Sequence, residues 1–314
     1  MATARDGDAV CGGCIVRLLF KSVNLDTLAP YLELWEKTPQ KSSDYSSGVL
    51  LCWERALGYQ FAFDEREELV WIKGSFPDEH NLAPVGDWNL HADWEEIIRA
   101  RFGDEAEFRL VPERLLDIWS ARMGDAVTAE ENRASWEYLH SVAELAELAG
   151  NKYMRKRNRV NQFRKQNPYT YAPITPEMIP RIVKFQEEWR ESYREFSGFE
   201  SIERESEGII RNILGNWERL PRLMGGIIET MGAVAAYTIA EDAGDGTVMI
   251  HFEKAGLAYN AAFQVINKEF LANDCARFTT VNREEDMDDP GLRDAKMSYH
   301  PAGFVKKYTV KINL

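Results

Sequence analysis

The chain has 314 residues, of which 45% are hydrophobic, 28% charged and 11% aromatic. This profile excludes an intrinsically disordered chain, and the length suits one large core or two ordinary ones, since domains run to roughly 100–200 residues. The net charge of −13 is unevenly spread: residues 1–150 hold 14 Lys and Arg against 28 Asp and Glu, and residues 151–314 hold 24 against 23.

An acidic first unit and a nearly neutral second one are therefore expected, divided near Gly150. In the first, residues 24–37 place Leu25, Leu28, Leu32 and Trp35 at helical spacing. A Ser-rich loop follows at 41–48, then a short helix over 49–55. Residues 59–63 and 69–72 alternate around a charged turn and read as a hairpin. Helices are expected at 93–101 and 113–123, with a strand at 108–111 between them. In the second unit, helices are expected at 176–194, 206–219 and 261–272. A hairpin pairs 223–229 with 233–240, and further strands fall at 248–252, 278–281 and 308–312. Trp53-Glu54-Arg55 and Trp217-Glu218-Arg219 each precede a hairpin, which suggests a tandem duplication.

The longest apolar runs, such as residues 232–240, fall far short of the roughly 18 residues a membrane helix needs. Residues 1–9 carry no signal-peptide pattern. No integral membrane segment and a cytoplasmic location are the expectations. Cys11-Gly-Gly-Cys14 has the C-x-x-C spacing, but no second pair or His-rich segment accompanies it, so no closed zinc site is expected.

Chemistry concentrates in the second half. Residues 151–165 hold seven basic residues and no acid, a density that attracts phosphate. On a helix, Val160 and Phe163 anchor one face while Asn158 and Asn161 share another. A solvated basic face has the same composition, so the two readings stand level. Residues 248–254 begin as an apolar strand and end in His251-Phe252-Glu253-Lys254. Strict alternation puts His251 and Glu253 on one face and Phe252 and Lys254 on the other. A Glu or His at such a strand end can accept a proton from an attacking amine; pairing at a sheet edge is the competing reading. The second polar segment, Asn282-Arg283-Glu284-Glu285-Asp286, also follows a strand. Its carboxylates lack calcium-loop spacing, so no metal is expected. Only Gly256 precedes the late helix, which gives little support to a pyrophosphate loop for coenzyme A.

These stretches together resemble the C-terminal domain of phosphatidylglycerol lysyltransferases and their stand-alone bacterial relatives (DUF2156). The resemblance runs through Lys156-Arg157-Asn158, Asn161 and Phe163, Glu205, His251-Phe252-Glu253-Lys254-Ala255, Gln264 and Asn267. It continues through residues 282–286, Gly291-Leu292-Arg293, Ala295-Lys296 and Ser298-Tyr299-His300-Pro301, and in the first half through Tyr45, Trp53, Tyr59 and residues 84–87. It implies a mixed α/β fold of two tandem acetyltransferase-like (GNAT) units, residues 1–150 and 151–314, with the active site in the second. It also implies transfer of an aminoacyl group from tRNA to an amine or hydroxyl, with no separate cofactor. On this reading Glu253 or His251 accepts the proton, and Glu205 and Glu285 orient the acceptor, a small molecule or a lipid head group. Arg155, Lys156, Arg157, Asn158 and Arg293 bind donor phosphate, including a tRNA acceptor end, while Lys254, Asn282, Arg283, Lys296 and Tyr299 shape the site. Two departures stand out: the membrane-spanning part of the lysyltransferases is absent, and Asn260-Ala261-Ala262-Phe263-Gln264 replaces the family's Gly-x-Tyr-Gln. An acyl-thioester N-acyltransferase and a non-catalytic binding module of the same fold are the alternatives.

Overall fold

The computed structural model describes residues 17–193 and 200–314, with side chains throughout except at 193 and 200–207. Cys11 and Cys14 lie outside the described residues. The strands in chain order are β1 (Lys21–Ser22), β2 (Gln60–Asp64), β3 (Leu69–Gly74), β4 (His80–Leu82), β5 (Glu105–Pro112), β6 (Val127–Glu131), β7 (Glu137–Ser141), β8 (Tyr169–Pro173), β9 (Leu223–Thr230), β10 (Ala233–Asp242), β11 (Thr247–Ala255), β12 (Thr280–Asn282), β13 (Gly303–Val305) and β14 (Lys307–Asn313). The helices are α1 (Leu25–Lys37), α2 (Ser47–Cys52), α3 (Glu54–Leu57), α4 (Trp94–Phe102), α5 (Glu113–Met123), α6 (Val142–Glu147), α7 (Met154–Gln166), α8 (Ile179–Tyr193), α9 (Glu200–Gly215), α10 (Ala262–Asp274) and α11 (Pro290–Met297).

Local chemistry explains the elements that the sequence announces. Asn24 caps α1 by accepting from the backbone N–H of Asp26 and Thr27, while the Thr27 hydroxyl accepts from the Asn24 N–H, a reciprocal cap. The stripe Leu28, Tyr31 and Trp35 is buried. Both expected hairpins form, as β2–β3 and β9–β10.

The strands make two seven-stranded sheets, ordered β1-β2-β3-β4-β5-β14-β6 and β13-β7-β12-β11-β10-β9-β8. Both sheets draw on each side of residue 150. β7 joins the second sheet beside β12, and β14 enters the first between β5 and β6. The chain thus crosses between sheets twice, between β6 and β7 and again at Lys306. One core cluster runs continuously from Val23 and Trp119 to Ile210, Tyr237 and Met249, joining the halves. A second cluster lies behind the second sheet under α6, α7 and α10.

One feature of β11 overturns the alternation expected from the sequence. Ile239 pairs with Phe252, but Ala240 pairs with Ile250, so His251 is the extra residue of a β-bulge. The bulge breaks the two-residue period. His251 faces the first half, whereas Glu253 faces α10 and hydrogen-bonds Asn267.

Candidate functional site

The segment after β12 organises the polar chemistry, because its five side chains leave in different directions. Asn282 donates to Glu137 on β7 and accepts from the backbone N–H of Glu284. Glu284 takes a left-handed backbone with φ of 57°, a conformation costly for a side-chain-bearing residue unless its surroundings hold it. The result is that Arg283 points toward α7 and α10, Glu284 and Glu285 point toward the first half, and Asp286 points toward α11.

On the side of the first half, five carboxylates (Asp44, Glu137, Glu241, Glu284 and Glu285) meet two buried cations, Lys307 and His251. Glu137 accepts from the Ser42 and Ser43 hydroxyls at 2.8 Å each, from the Ser43 N–H at 2.9 Å and from Lys307 Nζ at 2.7 Å. Lys307 also pairs with Asp44. Burial drives the Lys307 ammonium down, but the Asp44, Glu137 and Glu285 charges more than reverse this and hold it well above its ordinary value. Glu241, on β10, accepts from the Ser47 N–H at 3.0 Å and the Gly48 N–H at 2.9 Å at the start of α2. A Cβ on Gly48 would lie 2.7 Å from Glu241 Oε2, so any larger residue there would push the Glu241 carboxylate off the start of α2.

His251 bridges Glu241 (3.2 Å from Nε2) and Glu284 (2.7 Å from Nδ1). Burial opposes its charge, but the two carboxylates win and push its pKa up to about 10. It is therefore an imidazolium at neutral pH, with both ring nitrogens engaged and no lone pair ready to take a proton. Glu285 is half-buried beside this cluster. Burial raises its carboxyl, Lys307 lowers it, and Glu284, Asp44 and Glu137 raise it again, to about 7. Lys296 Nζ donates to the Glu285 backbone carbonyl, and burial pulls its ammonium down to about 8.

On the opposite side of the second sheet, Glu253 accepts from Asn267 at 2.9 Å and from Arg283 at 2.7 Å. Arg283 also lies 4.7 Å from the centre of the Tyr299 ring, which Lys156 covers from 4.0 Å. Lys156 donates to Ser298 at 2.6 Å, and burial with the Arg283 and Arg159 charges lowers its pKa to about 8. Burial pushes the Tyr299 phenol up to about 12. Glu253, Arg283, Tyr299 and Lys156 thus meet in one place, as a pre-paired polar group.

The other expected residues divide. Arg155 and Asn158 are exposed on α7. Arg157 turns inward and donates to the Gly150 carbonyl at 3.0 Å and to the Leu148 carbonyl, closing the end of α6. Arg293 does not join the basic helix: it grips Asp286 with two bonds of 2.8 Å and Asp288 with one of 2.6 Å. Lys254 lies 4.2 Å over the Trp189 ring, on the face away from Glu253. Glu205 lies on α9, with its side chain outside the described residues. Among the described residues no cluster of three metal-binding side chains occurs, and no helix is long and apolar enough to cross a membrane.

Sequence reasoning missed Glu137, Glu241, Lys307, Asp44 and the serines that bind them. A faint signal existed: Glu241 closes an otherwise apolar strand, and the 41–48 loop holds four serines in eight residues.

Comparison with known proteins gives the family and the fold. No curated protein matches the sequence. A crystal structure of a conserved protein of unknown function from Bacteroides thetaiotaomicron superposes with a TM-score of 0.83 at 27% identity, covering 94% of this chain and 99% of that one. L-PGS from Bacillus licheniformis superposes with a TM-score of 0.59 at 12% identity, covering 91% of each chain, a likeness of fold. The fold is the mixed α/β arrangement of two acetyltransferase-like sheets in tandem. The family model for the C-terminal domain of phosphatidylglycerol lysyltransferase matches residues 35–311, and the chain belongs to that family.

Proposed function

We propose that the chain transfers an aminoacyl group from an activated ester, that of an aminoacyl-tRNA, to an amine or hydroxyl acceptor, with Glu285 taking the acceptor's proton. Family and fold support a transferase. The observation that carries the finer reading is Glu285. Among the described residues its carboxylate takes no hydrogen bond, it is half-buried, and it titrates at about 7, where a general base and acid works best. His251 is already protonated, and Glu253 is already bonded to Arg283 and Asn267, so each serves better as a strut than as a base.

In the step itself, the acceptor lone pair forms a bond to the ester carbonyl carbon and the carbonyl becomes an oxyanion. The acceptor's proton passes to Glu285. As the oxyanion collapses, the ester C–O bond breaks and Glu285 returns the proton to the departing sugar oxygen. The ester is already activated, so placement accounts for most of the task. Exposed Arg155, Asn158 and Arg159 on α7, across the second sheet from Glu285, suit the phosphates of the tRNA strand that leads to the terminal ester. The acceptor is a small molecule or a lipid head group.

Glu285→Gln tests this with labelled aminoacyl-tRNA and a panel of amines and hydroxylic head groups. Turnover should fall by roughly 10²–10⁴-fold and lose its pH limb near 7. Because Glu285 binds its proton more tightly folded than unfolded, its stability contribution is lost as pH rises from the ordinary glutamate range through 7. The variant should therefore be more stable than wild type at pH 8, by about 1–2 kcal/mol. Unchanged turnover in the folded variant refutes the base, and transfer from acyl-coenzyme A alone refutes the donor.

A further inference from the structure

We infer that the first half is a positioning element for the loop of the second half, acting through Glu137 and Glu241 as positioning residues. The inference rests on Glu285 as the reacting group. Two arms cross between the halves. In one, Ser42 and Ser43 bind Glu137, and Glu137 binds Asn282. In the other, Ser47 and Gly48 bind Glu241, Glu241 binds His251, and His251 binds Glu284. Both arms start within residues 42–48, and they end on Asn282 and Glu284, two of the three residues that precede Glu285.

Holding the halves together does not require these arms. A continuous apolar core already joins them, and buried ion clusters are weak contributors to stability beside apolar packing of equal volume. What the arms supply is direction. Glu284 is in the left-handed region, and the side chains of Asn282 and of Glu284 itself are both tied toward the first half. The Asn282 side chain is held at Nδ2 by Glu137 while its Oδ1 fixes the Glu284 N–H. The Glu284 carboxylate is held by His251, itself fixed by Glu241. On this account the first half, whatever chemistry it lacks, fixes where Glu285 stands.

The test uses the full chain and needs no substrate. Ser42→Ala with Ser43→Ala removes two buried hydroxyl donors to Glu137, and with Ser42 a bond to Asp44, without touching Glu285 itself. Amide exchange should quicken at least tenfold at Arg283 and Glu284 and stay unchanged at Tyr237 and Ile228 in the sheet centre. The Glu285 carboxyl, followed by carbon-13 NMR, should fall from about 7 toward the ordinary glutamate value of about 4.3. Ser42→Thr with Ser43→Thr, which restores both hydroxyls, should return both readouts. Ser47→Ala, a milder change to the other arm, should quicken Glu284 and serves if the double variant does not fold. Unchanged loop exchange with an unchanged Glu285 midpoint overturns the inference, as does an equal rise across both sheets. If Glu285→Gln keeps full turnover while these readouts move, the base assignment fails and the positioning stands; the opposite pattern separates them the other way.

Discussion

Lys307→Met isolates the electrostatics of the cluster between the halves. Lys307 is fully buried, 2.7 Å from Glu137 and paired also with Asp44. At that distance, with an effective dielectric of about 20, the attraction to Glu137 alone is about 6 kcal/mol. Desolvation of the ammonium offsets much of it, but the methionine leaves Glu137, Asp44 and Glu285 without their cation. Breaking one side of a buried pair costs about 3–5 kcal/mol, and that is the expected loss in urea unfolding at pH 7.5. The loss also has a signature in pH. Glu137 is held below its ordinary value largely by Lys307, so in wild type its contribution is present above the ordinary carboxylate range and fades as pH falls through its folded value. In the variant Glu137 takes up a proton more readily, and the gap to wild type should shrink from pH 7.5 to pH 5. A loss below about 1 kcal/mol, or a gap that widens on acidification, refutes the account of the cluster.

Further outcomes follow from the same geometry. His251 titrates at about 10 when folded against about 6.5 unfolded, so its stabilisation is complete below 6.5 and is lost as pH rises to 10. Wild type should lose a few kcal/mol over that window while His251→Gln shows a flatter profile, and parallel profiles would deny the imidazolium. Arg157→Ala should lower stability by about 1–2 kcal/mol by freeing the Leu148 and Gly150 carbonyls, and leave unchanged the salt dependence of the tRNA binding proposed above. Arg155→Ala should do the reverse, keeping the melting temperature and reducing the salt slope by about one. The same effect from both variants would contradict their assignment to opposite faces of α7.

Several elements were legible in the sequence because their physics is local. The capped, amphipathic α1, the hairpins β2–β3 and β9–β10, and the basic helix α7 follow from periodicity, turn chemistry and composition over a dozen residues. β6, β7 and β13 were not legible. β6 is almost wholly exposed and polar, β7 places a Glu and a His in the interior, and β13 spans three residues. Their pairing comes from partners more than 100 residues away in sequence, such as β14 beside β6. Within the site, the motif residues 251–254 and 282–286 could be picked out along the chain, but their directions could not. A bulge of one residue at His251 sends it to the first half and Glu253 to α10, and no side-chain pattern announces where a strand slips. The loop at 41–48 reads as a Ser-rich connection, yet its hydroxyls and amides bind Glu137 on the second sheet and Glu241 in the other half. Charge, residue type and spacing are properties of the chain and can be read along it. Which acid titrates near 7, which histidine stays charged and which arginine is already taken depend on burial and on neighbours that the tertiary fold alone brings within hydrogen-bonding distance.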